Sequence, residues 1–259
     1  MADAPLVVRP VESGLVIFLT VWEKSSMDQH KSGAWRLFPV ILVAGLLFLL
    51  TGSRAVAGKI RVACVGDSIT YGDGVPQRHT QGWPGKLQQL LGTGYQVANF
   101  GHSGTTMLKN GGLPYWKTAE YKAATSFDPN IVVIMLGTND VKPQNWSKFG
   151  SQFTANAEEM IRHFARLKAH PKIYICTPPP IIHANSGISE AMLIRGPIPD
   201  IYTAGHAMNV PVIPVYAELR RFFKTHGADV YYQADGIHPN AAGQKQIAQL
   251  IFQFLQRVP

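Results

Sequence analysis

The chain has 259 residues, of which 46% are hydrophobic and 15% charged. That balance excludes a disordered chain, a coiled coil and a collagen-like repeat, and the length suits one or two domains with a core of their own. The 24 Lys and Arg outnumber 16 Asp and Glu to give a formal net charge of +8. The cations are scattered singly, with Arg220-Arg221 the longest run, which argues against the concentrated basic patch of a nucleic-acid binder.

Residues 37–50 form an almost unbroken apolar run of 14, short of the ~20 residues that span a bilayer. The run follows His30, Lys31 and Arg36 and ends at Thr51-Gly52-Ser53-Arg54-Ala55-Val56-Ala57. A basic start, a short apolar middle and an Ala-x-Ala close read as a secretory signal peptide over residues 27–57, cut after Ala57. Residues 1–26 then read as an upstream extension or tail, with Met27 as the true start. An uncleaved membrane anchor is the alternative. The expectation is an exported protein, periplasmic or extracellular, with no stable membrane insertion after cleavage and one folded domain over residues 58–259.

Beyond Ala57, short apolar runs alternate with longer mixed segments. Strands are expected at residues 60–65, 96–99, 131–135, 172–176 and 212–214. Nearly continuous apolar runs such as 131–135 suit parallel strands covered on both faces. Residues 83–91 read as helix, and so do 153–167, where Met160, Ile161, Phe164 and Leu167 share a face. Pro178-Pro179-Pro180 opens a Gly/Pro-rich stretch that reads as a loop followed by a helix near Asp200. Asn240 can cap a last helix with Ile247, Leu250, Ile251 and Phe254 as its apolar stripe. Alternating strands and helices imply an α/β sandwich on a parallel sheet. In such sheets ligands sit beyond the carboxyl ends of the strands.

Small and polar residues gather at those ends. Gly66-Asp67-Ser68-Ile69-Thr70 follows the first strand, Gly137-Thr138-Asn139-Asp140 follows the third, and Asp235-Gly236-Ile237-His238-Pro239-Asn240 precedes the last helix. Acyl transfer asks for these types. A serine hydroxyl is a poor nucleophile until a base takes its proton, histidine does that near neutral pH, and a carboxylate orients the imidazole. Asp235 and His238 are three apart on one turn, so the carboxylate can reach the near ring nitrogen while the far one faces outward. The amides of Ser68 and Gly104 and the Asn139 side chain are candidate donors to an oxyanion.

These blocks, with the glycine of Asn99-Phe100-Gly101-His102-Ser103-Gly104, resemble in order and spacing the four blocks of the SGNH (GDSL) hydrolase family. The resemblance covers essentially all of residues 58–257. It implies Ser68 as nucleophile, His238 as base, Asp235 as its orienting acid, and Ser68, Gly104 and Asn139 as the oxyanion hole, with Gly101 as rival to Gly104. It also implies a three-layer, flavodoxin-like α/β/α sandwich with strand order 2-1-3-4-5, and no metal or organic cofactor. In the implied order a third strand separates Cys64 from Cys176. Two strand spacings of ~5 Å exceed the ~7 Å reach of a disulfide, so two buried free thiols are expected.

Lys142-Pro143-Gln144-Asn145-Trp146 and Pro114-Tyr115-Trp116-Lys117-Thr118 look like secreted bacterial esterases of the sialate or xylan O-acetylesterase kind. The expected substrate is a small-molecule or polysaccharide ester, with an O-acetylated carbohydrate leading. A lysophospholipase or acyl thioesterase is the rival enzyme, and an inactive carbohydrate-binding module the rival outside enzymes. Trp116 and Trp146 are candidates for stacking on sugar, with core packing as the plainer role. Asn185, Ser186 and Gly187 are candidates for lining the pocket, as is His102. Ser68 alone could be a helix cap, and Asp67 and Asp140 read as loop ties through backbone hydrogen bonds. The other histidines show no metal-ligand spacing.

Overall fold

Val62, Ala63, Cys64 and Val65 put apolar side chains on both faces of the first strand, and all four are fully buried. A strand of this kind needs cover on both sides, and the computed structural model provides it. It describes residues 58–257, so the expected leader at 27–57 and the extension at 1–26 lie outside the described residues.

In chain order, β1 (Ile60–Gly66) leads into the short α1 (Ser68–Tyr71), α2 (Arg78–Gln81) and α3 (Trp83–Leu91). After β2 (Tyr95–Gly101) a long loop reaches α4 (Ala119–Ser126). Then come β3 (Ile131–Met135), α5 (Pro143–Phe149), α6 (Phe153–Ala165) and β4 (Lys172–Cys176). The chain closes with α7 (Glu190–Arg195), α8 (Pro197–Ala207), β5 (Val212–Ile213), α9 (Val215–His226) and α10 (Ala241–Arg257). The five strands form one parallel sheet in the order β2-β1-β3-β4-β5.

Two apolar layers sandwich that sheet. On one face, Ala63, Val65, Val132, Ile134, Ile173 and Ile175 pack with Phe153, Met160, Ile161 and Phe164 of α6 and Ile201 and Ala204 of α8. On the other, Val62, Cys64, Val133, Tyr174 and Ile213 meet Leu87 of α3, Leu219 and Phe223 of α9, and Ile247 and Ile251 of α10. The α10 stripe expected from the sequence is in place, and Asn240 caps the helix by accepting the Ala242 and Gly243 amides at 2.9 and 3.2 Å.

Some expectations shift at their edges. β2 extends to Tyr95 and Gly101, beyond 96–99, because Gly101 stays in register with Gly66 of β1. β5 stops at Ile213, before the expected Pro214, since proline has no N–H for the ladder. The stretch before Asp200 holds two helices rather than one: α7 ends at Gly196 and Pro197 opens α8. Among the helices not foreseen, α4 buries only Ala124, so it carries no apolar stripe to read.

The register sets the site. Gly66 lies level with Gly101 of β2 and Met135 of β3. The residues that follow these three strands therefore leave the sheet along one edge. Gln244 of α10 fastens that edge from below, accepting the Trp83 amide at 2.8 Å and donating to the Ile69 carbonyl at 3.0 Å.

Cys64 and Cys176 are buried free thiols on β1 and β4, with β3 between them. Burial raises both thiol pKa values well above the ordinary range, which keeps them protonated and unreactive. Unfolded without reductant, the described domain therefore exposes two titratable thiols to a thiol reagent. A titration returning none would contradict the packing.

Candidate active site

A buried carboxylate frees the serine. Asp67 is the N-cap of α1 and accepts the Ile69 amide on Oδ1 at 3.0 Å. The capping role open to Ser68 is therefore taken by its neighbour, and the Ser68 hydroxyl is available for another partner. It lies 2.8 Å from His238 Nε2. On the far side of the ring, His238 Nδ1 is 2.6 Å from Asp235 Oδ2. With the proton on Nδ1 donated to the carboxylate, Nε2 accepts from the hydroxyl, which is the tautomer a general base needs. Ser68 is 5% exposed, so its surroundings are largely dry while the hydroxyl still meets the cleft.

Asp235 is itself fixed by the turn it begins. Its Oδ1 accepts the Ile237 and His238 amides at 2.9 and 3.0 Å. Partial burial pushes its pKa up, but the His238 ring and these two amides outweigh that and hold it below the ordinary carboxylate range. The turn is pinned from outside as well. Gly236 O accepts the Ile182 amide at 2.8 Å, the Gln233 amide donates to His238 O at 2.9 Å, and the Tyr232 hydroxyl donates to Pro180 O at 2.7 Å.

Gly101 and Gly104 differ in their geometry. The Gly101 amide already donates to Asn99 Oδ1 at 2.9 Å, and a Cβ there would lie 2.2 Å from the Tyr71 nitrogen. Gly101 is the close-packing glycine under α1. Gly104 sits at φ +80°, a left-handed conformation that suits glycine, and it lines the cleft. The Ser68 amide, as the first of a helix, has no intrahelical acceptor. Asn139 Nδ2 donates to Thr105 O at 3.1 Å, which aims its amide across the same space and leaves a second N–H.

The loop that carries Gly104 is held by side chains from the segment after β3. Asp140 accepts the Met107 and Leu108 amides at 3.1 and 2.8 Å. Asn145, 3% exposed, accepts the Gly112 amide at 2.9 Å and donates to Asn139 O at 2.9 Å. The loop-tying role expected for Asp67 and Asp140 is thus what both do. Neither carboxylate meets a cation among the described residues, and Asp67 Oδ2 is buried without a hydrogen-bond partner. Burial pushes Asp67 to about 6, against the Ile69 amide. It pushes Asp140 to about 7, against the two loop amides and with the Asp67 charge adding to the rise.

Ser68, Asp73, Gly104, Asn139, Lys142, Asn185, Ser186, Ile188, Ile237 and His238 surround a cleft of about 240 Å³. Asn185 and Ser186 stand where the sequence places them, while Gly187 packs instead against Pro143. Three further candidates lie away from the cleft. Trp116 is turned away from the cleft, its Nε1 donating to Met107 O at 2.8 Å on the other side of the loop. Trp146 packs on Phe153, ring centres 5.6 Å apart, where Gly150 and Gly196 make room for it. His102 pairs with Glu120 at 2.8 Å outside the cleft. Of the charged lining groups, Asp73 carried no signal in the sequence, and Lys142 stood in the quoted 142–146 stretch without being singled out for the cleft. Among the described residues no group of three His, Cys, Asp or Glu is placed to hold a metal ion, and no helix is long and apolar enough to cross a membrane.

Residues 64–246 match the GDSL-like lipase/acylhydrolase family. An acetylxylan esterase of Xylanibacter ruminicola is 38% identical over 209 residues, covering 74% of this chain and 42% of that protein. The chain thus spans about two fifths of the length of the curated relative it matches. Among solved structures, the Mycobacterium smegmatis aryl esterase aligns with TM-score 0.61 and 21% identity over 78% of this chain and 100% of its own. A carbohydrate acetylesterase from Sinorhizobium meliloti aligns with the same TM-score of 0.61, at 21% identity, over 78% and 100% of the two chains. These structural likenesses bear on the fold.

The two buried carboxyls make a pH prediction. Both lose their protons at higher pH in the fold than in the unfolded chain, where aspartate titrates near ~4. Between about pH 4 and pH 7 the folded state binds more protons, so their contribution to stability falls as pH rises. Asp140→Asn removes one of these titrations and one of the two amide contacts. The melting temperature of the wild type minus that of D140N should therefore decrease from pH 4 to pH 7, and a difference that stays flat or grows would overturn the assignment.

Proposed function

Because the chain belongs to the GDSL-like lipase/acylhydrolase family, we propose that it is a serine ester hydrolase that deacetylates O-acetylated carbohydrates. The observation that carries the reading is the unbroken hydrogen-bond chain from Ser68 through His238 to Asp235, at 2.8 and 2.6 Å. Ser68 Oγ attacks the ester carbonyl while its proton passes to His238 Nε2. The imidazolium is stabilised by Asp235, whose lowered pKa keeps it ionised. Negative charge on the carbonyl oxygen meets the Ser68 and Gly104 amides and the Asn139 side chain. His238 then gives its proton to the leaving alcohol, and the acyl group rests on Ser68. Water, deprotonated by His238, releases the acid by the same route.

The substrate class is argued from the cleft and from the relatives. About 240 Å³, lined by Asp73, Lys142, Asn185 and Ser186 with only Ile188 and Ile237 as large apolar groups, suits a small acyl group and a hydroxyl-rich alcohol. A long acyl chain needs an apolar channel, and none of the lining extends one. The acetylxylan esterase relative adds support for acetyl esters of sugars. The same reading takes the enzyme to be exported through the leader at 27–57, for which the basic, apolar and Ala-x-Ala pattern is the support. N-terminal sequencing of the protein recovered from outside the cytoplasm should begin at Gly58.

Ser68→Ala should remove turnover by roughly three to six orders of magnitude while leaving the melting temperature nearly unchanged. Asn139→Ala should lower kcat by about a hundredfold, as expected for loss of one oxyanion donor. With p-nitrophenyl esters, activity should fall steeply beyond acetate. Undiminished turnover in S68A refutes the nucleophile, and a plateau at octanoate or longer rejects deacetylation in favour of lipid acyl hydrolysis.

A further inference from the structure

Trp116 leaves the catalytic cleft but does not vanish into the core. With Tyr121 and Leu167 it lines a surface groove of about 550 Å³ between α4 and α6, larger than the cleft itself. The Trp116 and Tyr121 rings lie 5.6 Å apart, and Tyr121 continues onto His163 at 4.8 Å. Around this aromatic strip stand Lys109, Arg162 and Arg166, with Glu159 as the one carboxylate in the lining. Glu159 is taken up by Lys109, whose ammonium also sits 4.3 Å over the Trp116 ring. Arg162 reaches Glu158 only at 3.7 Å, and exposed Arg166 has no carboxylate partner among the described residues. Burial lowers the His163 pKa, and its Nε2 lies 2.8 Å from Thr125 Oγ1. Burial also pushes the Tyr121 phenol up to about 12, so it remains a donor.

We propose that this groove is a second glycan-binding site, which holds an acidic, uronate-bearing stretch of the polysaccharide whose acetyl groups the cleft removes. The inference rests on the acetylated-carbohydrate reading above. Lys109 covers one face of Trp116, and the remaining half-buried aromatic surface takes the apolar face of a sugar ring. Guanidinium groups take a carboxylate in paired hydrogen bonds. A neutral ligand would leave Arg166 without a charged partner, and an acyl chain would meet Lys109, Arg162 and Arg166 around the aromatic strip; Arg162 also holds Glu158 and the Met208 sulfur at 3.7 and 3.8 Å. The groove is also within reach of the cleft. Lys109 lies five residues beyond Gly104, a stretch that spans at most about 18 Å, and its amide is anchored to Asn156 at 2.9 Å. The groove and the cleft are thus lined from one loop, Lys109 in the first and Gly104 in the second.

The test is native gel electrophoresis through deacetylated glucuronoxylan or neutral arabinoxylan, which reads binding without any turnover. The wild type should be retarded by the uronate-bearing polymer and hardly at all by the neutral one. Arg162→Glu with Arg166→Glu should weaken that retardation about tenfold, as for loss of two charge-assisted contacts. Arg166→Gln alone, at an exposed position, should give a smaller change in the same direction and serves if the double variant does not fold. Lys224→Glu with Lys245→Glu, on the opposite side of the sheet, should change nothing. Equal retardation by both polymers, an unaffected arginine variant, or an equal loss in the lysine variant would each overturn the proposal. Acetate release from p-nitrophenyl acetate, measured alongside, should be the same in the arginine variants and the wild type. Its absence from every protein would sink the esterase reading and leave the groove to be judged by binding alone.

Discussion

One hydrogen bond, between the Ser68 hydroxyl and His238 Nε2, joins positions 170 residues apart in the chain. Nothing local brings them together. The serine is delivered by the end of β1, near the middle of the sheet, and the histidine by a turn ahead of the last helix. Their meeting depends on α10 lying against α3, and on Gln244, 1% exposed, which ties α10 to both the Trp83 amide and the Ile69 carbonyl. A buried glutamine is costly unless its amide is satisfied. Here it is satisfied by the Ile69 carbonyl of α1, the helix that begins at Ser68, and by the Trp83 amide at the start of α3. The apolar layer of Ile247, Ile251, Leu87 and Trp83 supplies the adhesion, and Gln244 supplies the register.

The second constraint is electrostatic. Asp67 and Asp140 are buried beside Ser68 and Asn139 in the chain, and amides rather than cations support them. An unpaired buried carboxylate is unfavourable, and two near each other more so. Their acceptance of backbone N–H groups is what gives the Ser68 and Gly104 loops their shape. Local instability and a preorganised site thus come from the same pair of residues. The histidine gains from a similar arrangement at Asp235, where a carboxylate held by two amides of its own turn cannot swing away from the ring.

Much of this was legible in the sequence because its chemistry is tied to strand ends. Apolar runs marked all five strands; the polar blocks after the first and third pointed to Ser68 and Asn139, and the block ahead of the last helix to Asp235 and His238. The resemblance supplied the strand order, which the sheet has. What could not be read was direction. Trp116 and Trp146 sit in loops beside the motifs, yet which side of a loop an indole faces is decided by packing partners far off in the chain, Met107 and Phe153 here. The helix at 119–126 was silent because it buries one alanine. Asp73 reaches the cleft only through the fold of a loop whose composition gave no signal, and Lys142 was read only as part of the 142–146 stretch. The choice of Asp67 over Ser68 as the helix cap was equally hidden, since both residue types cap well.

A serine made nucleophilic by its histidine should be singled out chemically. Treatment with a fluorophosphonate, followed by peptide mass spectrometry, reads this directly. The account predicts one adduct per chain, on Ser68, and its disappearance when His238 is replaced by alanine. An adduct on another residue, or equal labelling of Ser68 without His238, would contradict it.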